Sequence, residues 1–149
     1  MLPNDYKGQN CSIARALEVV GERWTLLIIR DAVLGLRRFD QFQASLQIAR
    51  NVLTDRLNRL VEEGIFERVR YSERPERYEY RLTTKGRDLA VTLAGLRQWG
   101  DKYLSEKPTR ITRRRSDKRP VIAAFVPKGA DVVREDELEI VPSSGLNTG

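Results

Sequence analysis

Histidine is absent from this 149-residue sequence, and cysteine and methionine occur once each. Without histidine, Ser-His-Asp and Cys-His catalysis, imidazole-ligated zinc and the ordinary protonation switch near neutral pH are excluded. A single cysteine, Cys11, can form neither an intrachain disulfide nor a thiolate-rich metal centre, and its isolation fits a reducing compartment. Long apolar runs are missing as well. Stretches such as Thr25–Ile29 fall far short of the ~20 residues that span a bilayer. The stretch Met1–Asn10 is polar and lacks the apolar core of a signal peptide. These absences predict a cytoplasmic protein with no membrane segment, metal or cofactor.

What is present is a globular composition with many charges. Hydrophobic residues make up 40% and charged residues 32%, with 27 Lys and Arg against 21 Asp and Glu, a net of +6. The charge is uneven. Residues 1–104 hold 18 basic and 14 acidic side chains, residues 105–119 hold 7 and 2, and residues 120–149 hold 2 and 5. The sequence thus predicts a mildly basic domain over 1–104, a basic connector over 105–120 bounded by prolines, and an acidic tail over 121–149. An enzyme would need paired carboxylates or a lysine. The adjacent Glu62 and Glu63 point about 100° apart on a helix, so they make a poor acid–base pair, and no enzymatic role is expected.

Apolar spacing sets the elements. Ile13, Ala16, Leu17 and Val20 recur at helical spacing behind a candidate Ser12 cap, and Gly21 closes the pattern. Trp24, Leu27, Ile28 and the Val33–Leu34 pair mark a second helix ending at Gly35. Asp40 can cap a third, carrying Phe42 and Leu46. Over 49–63, Val52, Leu53, Leu57, Leu60 and Val61 share one face of an amphipathic helix that Gly64 stops. Residues 65–71 and 78–82 alternate at period two around the polar, proline-bearing stretch 72–77. This predicts a hairpin with a long basic tip. Leu89, Leu93, Leu96 and Trp99 line a final helix, and Val121–Val126 with Leu138–Val141 can form a hairpin in the tail. Trp24 and Trp99 sit in apolar stripes, so core packing is expected of both rather than stacking on single-stranded bases.

The fold class that follows is mostly α with a small antiparallel β-hairpin, in the order of a winged helix-turn-helix. Two of its elements suit a duplex. A helix fits the major groove, and a hairpin tip carrying Arg can reach a neighbouring phosphate ridge or the minor groove. The candidate reading helix presents Arg50, Asn51, Thr54 and Asn58 on its polar side, and Arg and Asn can make bidentate contacts to guanine and adenine edges. On the residues alone, a solvated helix face is the better account of 50–59. Arg74 and Arg77 flank Pro75 at the hairpin tip; pairing with Glu73 and Glu76 is their alternative use, and such exposed pairs contribute only ~0–1 kcal/mol.

Several pieces in order resemble the HxlR-type winged helix-turn-helix transcriptional regulators. They are Cys11-Ser12-Ile13-Ala14-Arg15-Ala16-Leu17, Val20-Gly21-Glu22-Arg23-Trp24-Thr25, Gly35 to Arg38-Phe39, and Leu53-Thr54-Asp55-Arg56-Leu57 with Leu60 and Gly64. Tyr78-Glu79-Tyr80-Arg81-Leu82-Thr83, Lys85-Gly86 and Trp99-Gly100 follow. The resemblance implies a homodimer built from the N- and C-terminal helices, bound to a palindrome-like double-stranded DNA operator, and the reading drawn here from it is a repressor that occupies a promoter. It implies phosphate contacts for Arg37 and Arg38, and for Arg56 either a phosphate contact or an ion pair that braces the helix. A winged-helix protein–protein interaction module that does not read DNA is the alternative.

Cys11 lies just before a helix N-terminus, where the dipole favours negative charge, and Arg15 can add positive charge nearby. Some members of the family sense oxidants at this place, so Cys11 is a candidate redox sensor, and a redox or small-molecule effector is compatible with the architecture. A small residue near a dimer interface is the plainer reading. Within the connector 105–120, the stretch Arg110 to Arg119 is expected either to grip phosphates as a flexible arm or to pair with the acidic tail of the partner subunit.

Overall fold

Helix ends show what stops each periodic stretch. The computed structural model describes residues 10–143. The first helix, α1 (Ser12–Val20), begins one residue earlier than a serine cap would require. Cys11 is the N-cap, without a side-chain hydrogen bond, and its carbonyl accepts from the Arg15 N–H at 3.1 Å. Helices α2 (Thr25–Val33) and α3 (Phe39–Leu46) follow. Arg38, not Asp40, caps α3: the Gln41 side-chain oxygen accepts from the backbone N–H groups of Arg37 and Arg38 at 2.9 and 3.0 Å, closing the first turn. Helix α4 (Arg50–Glu62) ends where Gly64 takes φ +74, a left-handed conformation that costs any Cβ-bearing residue free energy.

The chain then forms the antiparallel hairpin of β1 (Phe66–Glu73) and β2 (Glu76–Leu82), with Phe66 opposite Leu82 and Glu73 opposite Glu76. The expected six-residue tip is a tight turn at Arg74–Pro75. Ser72, Glu73, Glu76 and Arg77 belong to the ladder, and the register is interrupted between Arg70 and Ser72. Their polarity hid the pairing, because an exposed hairpin end has no buried face to impose alternation.

The chain divides into two compact units, Met1–Arg87 and Asp88–Gly149. The first holds the core. Ile28, Ile29, Phe42, Leu53, Leu57, Leu60 and Phe66 are its most deeply buried large side chains. Phe66 joins helices to hairpin: its ring lies 6.1 Å from that of Phe42 and 6.3 Å from that of Tyr80. After β2 the short α5 (Thr84–Arg87) begins, and Gly86 is buried so closely against the Ile65 carbonyl that a Cβ would collide with it.

The second unit carries α6 (Ala90–Tyr103) and a two-stranded sheet of β3 (Arg110–Arg114) and β4 (Leu138–Pro142). Three expectations change here. The division falls at residues 87 and 88, not near 106, and α6 goes with the C-terminal extension. The stretch 105–120 is not a plain connector, since it supplies β3. Val121–Val126 is not a strand; Leu138–Pro142 pairs with Arg110–Arg114 instead, Arg113 facing Glu139. Charge explains the choice. Arg113 Nε meets Glu139 Oε1 at 2.6 Å, Lys118 Nζ reaches the same oxygen at 3.0 Å, and Arg115 donates to the carbonyls of Asp136 and Leu138. The basic stretch therefore pairs with the acidic one of its own chain. Trp99 is also not a core residue: α6 has no buried residue, and Trp99 stacks on Tyr103 at 5.5 Å with over half its surface exposed.

The hydrogen bonds from Lys118 and Arg113 hold the Glu139 carboxyl below its ordinary 4.5. A carboxylate favoured in the fold stabilises it fully above the unfolded value and loses that contribution as pH falls through the lower folded one. Thermal unfolding followed from about pH 6 to about pH 3 should therefore show an acid-side loss of stability in this unit, and Glu139→Gln should flatten it.

Candidate nucleic-acid interface

Burial of one face of α4 determines what the other face offers. Leu53, Leu57 and Leu60 lie on successive turns and are essentially inaccessible, so Arg50, Asn51, Thr54, Asp55 and Asn58 are turned outward and exposed. Two of them are oriented locally. The Arg50 guanidinium sits over the Phe39 ring at 4.7 Å, and the Thr54 hydroxyl donates to the Arg50 carbonyl at 2.9 Å. No side chain caps the N-terminus of α4, where Ala49 is the N-cap.

The approach to α3 separates two neighbouring arginines. Arg37 is half-buried, and its Nη1 donates to the carbonyls of Ala32 at 2.8 Å and Leu36 at 3.0 Å, strapping the turn after α2. Its own carbonyl accepts from the Tyr80 N–H at 2.7 Å, which ties β2 to that turn. Arg38 points outward. Its guanidinium stacks over Tyr71 at 4.4 Å, and its Nε is 3.9 Å from Glu79 Oε1, while Arg81 Nη2 takes the other Glu79 oxygen at 3.1 Å. Glu79 and Tyr71 were not singled out from sequence. They are on the hairpin, remote in sequence from Arg38, and no local pattern announces them.

The hairpin tip carries Arg74 and Arg77, both exposed. Among the described residues neither has an ion-pair partner. Of the two acids expected as their alternative partners, Glu73 and Glu76, the latter instead pairs with Arg70 at 2.6 Å and also meets the Tyr78 hydroxyl. Arg68 lies over the Tyr78 ring at 3.8 Å. The strand alternation already placed Arg68 and Arg70 on the hairpin, but sequence alone did not mark them as stacked on one tyrosine.

Arg56 is half-buried and ion-paired with Glu22, which lies between α1 and α2. Of the two uses expected for it, the structure shows the brace. Carbonyls and a carboxylate thus occupy the guanidinium groups of Arg37 and Arg56, Glu79 lies at the edge of ion-pair reach of Arg38, and Arg74 and Arg77 have no ion-pair partner among the described residues. Cys11 is exposed at the start of α1. Among the described residues no group of three or more His, Cys, Asp or Glu side chains could hold a metal ion, and no helix is long and apolar enough to cross a membrane.

The outward polar helix face, the hairpin with free arginines at its tip and the strapped turn between them form one continuous unit from residues 10 to 87. A family model described as HxlR-like helix-turn-helix matches residues 19–108. A helix-turn-helix-type transcriptional regulator of Mycobacterium tuberculosis is 55% identical over 103 residues, which cover 69% of this chain and 64% of that one, so the match spans less than two thirds of that relative's length. The regulator YdeP of Bacillus subtilis is 30% identical over 101 residues, covering 67% and 77%. Among solved structures, PA1607, described as a candidate transcription factor, superposes with a TM-score of 0.73 at 43% identity over 83% of this chain and 87% of that one. The reduced form of the redox regulator HypR gives 0.59 at 29% identity, covering 62% and 92%. The matched structures are winged-helix proteins, and this chain shares that fold.

The two classes of arginine should separate in stability measurements. Arg37→Ala removes the donor to two carbonyls and should lower the unfolding free energy by roughly 1–3 kcal/mol. Arg74→Ala, at an exposed turn, should change it by less than about 0.5 kcal/mol. Urea unfolding of the two variants checks both values.

Proposed function

Because the chain belongs to the HxlR-like helix-turn-helix family, we propose that it is a homodimeric transcriptional regulator that binds a palindrome-like DNA operator and represses by occupying a promoter. One observation carries this reading. The exposed face of α4 displays Arg50, Asn51, Thr54 and Asn58 together, held outward by three buried leucines behind them. In this reading those four side chains meet base edges in the major groove, where each good bidentate contact discriminates by ~1–3 kcal/mol.

Arg38, Arg74 and Arg77 take phosphates, fixing register without reading sequence. Arg37 and Arg56 leave the phosphate set that the resemblance implied and instead hold the frame: one fixes the turn before α3, the other fixes α4 to Glu22. The Glu79 carboxylate and the Tyr71 ring restrain Arg38, so it gives up less conformational entropy when it meets a phosphate. The dimer rests on apolar side chains that the single chain leaves exposed, Ile13 and Leu17 on α1 and Trp99 and Tyr103 on α6. A two-fold axis makes the contact isologous and spaces the half-sites by a helical turn or a multiple.

Cys11, exposed at the N-cap of α1, is the candidate thiol through which an oxidant would act on the dimer. HypR, a redox regulator of the same fold, lends support. Duplex affinity that stays constant after thiol oxidation would remove Cys11 from that role.

Selection of bound duplexes from a random pool should return an inverted repeat. Asn51→Ala should weaken binding to the selected duplex by about 5- to 150-fold and leave random duplex nearly unaffected. Arg74→Ala should weaken both alike and flatten the log–log salt dependence by ~0.9 for each phosphate that is no longer neutralised. A chain that shows no salt-sensitive retention on duplex DNA or heparin would instead be a protein-interaction module.

A further inference from the structure

The C-terminal unit contains a segment that neither the helix-turn-helix nor the small sheet accounts for. Between Pro120 and the 3-10 turn at Glu135–Glu137 the chain runs without regular structure, yet it is tied down. Pro120 bridges to Arg113, and the Val121 N–H donates to the Thr112 carbonyl at 3.0 Å. The Gln98 side chain of α6 then grips the backbone of Ala123 at two points. Its Nε2 donates to the Ala123 carbonyl, and its Oε1 accepts from the Ala123 N–H, both at 3.0 Å. A side-chain amide here imitates a β-bridge, so the segment is a fixed arm laid against α6.

This arm displays apolar side chains outward. Phe125 is 107% exposed, and Ile122 and Val126 are exposed beside it in sequence. Between Val121 and Val133 only Lys128 and Asp131 are charged, in a chain that is 32% charged overall. Charge depletion around an aromatic residue is the composition of an interface centre. The helix that holds the arm has its own uncovered apolar side chains, Trp99 at 57% and Tyr103 at 61% exposure, with Leu96. At roughly 150–250 Å² per aromatic side chain, Trp99, Tyr103 and Phe125 leave roughly 450 Å² uncovered. With the aliphatic side chains added, this area approaches the roughly 800 Å² that each partner of a stable complex buries.

We propose that the arm over residues 121–132 is a dimer clasp: Phe125, with Ile122 and Val126, packs on a second copy of this chain, extending the contact made by α6. The proposal rests on the homodimer reading above and adds to it a segment outside the residues 19–108 of the family match. The second copy is the occupant because the Gln98 grip holds the arm on α6, the helix that the homodimer reading puts at the contact between copies, so the arm continues that contact. In a two-fold pair the contact occurs twice, so its effect on dimer affinity is doubled.

The test uses the full chain. Sedimentation equilibrium gives the dimer dissociation constant of the wild type and of Phe125→Glu. In parallel, a benzophenone amino acid placed at position 125 of the otherwise unaltered chain is irradiated, and the cross-linked peptides are mapped. The expected result is a rise in the dimer dissociation constant of at least about 30-fold for Phe125→Glu, as for a central aromatic anchor, and a cross-link joining two copies. A wild-type dimer that Phe125→Glu leaves equally tight overturns the clasp while the homodimer stands. A wild-type chain that stays monomeric overturns both. Cross-links confined within one chain, or none, overturn the clasp even where Phe125→Glu fails to fold.

Discussion

Three leucines on successive turns of α4 constrain everything the first unit can present. Once Leu53, Leu57 and Leu60 are buried in the core that Phe42 and Phe66 share, the rotation of α4 about its own axis is fixed. A helix has no freedom to expose a chosen polar set while burying an arbitrary apolar one, because both follow from 3.6 residues per turn. Phe66 then transmits the constraint to the hairpin through Tyr80, and the bond from the Tyr80 N–H to the Arg37 carbonyl closes the circuit at the start of α3. Helix α4 and the hairpin are therefore placed relative to each other chiefly by core packing and backbone hydrogen bonds, with the Arg38–Glu79 pair adding a surface contact between the start of α3 and β2.

The charges divide into those the fold uses and those it leaves over. Arg37 serves two carbonyls, Arg56 serves Glu22, and Arg113 with Lys118 serves Glu139. Arg74 and Arg77 are left at a tight turn with no acid partner among the described residues. A net charge of +6 is thus a poor guide to where an anion would be met. The informative quantity is which cations lack a partner, and that requires coordinates.

Much of this was legible in sequence where a buried face imposes a period. The stretch 49–63 reads as a helix and is one over 50–62, since its apolar residues repeat at the helical interval against a core. The hairpin strands were legible near Phe66 and Leu82, where one face is buried, and illegible near the tip, where neither is. The tail pairing escaped because β3 and β4 are far apart in sequence and matched by Arg113 and Glu139, not by alternation. Trp99 shows a different limit. An apolar stripe at helical spacing does not establish that the same chain covers it. Arg37 shows a third: its neighbours in sequence do not reveal that two carbonyls converge on its guanidinium.

The back-bond from Thr54 to the Arg50 carbonyl has a chemical corollary. While the hydroxyl proton is directed into the helix, the residue faces outward with lone pairs and a methyl group only. Such a side chain can accept a hydrogen bond from the exocyclic amine of adenine or cytosine, or rest against the methyl of thymine. It has nothing to give to the two acceptors of guanine. In the proposed reading of α4, its backbone chemistry would thereby bias which base is tolerated opposite Thr54.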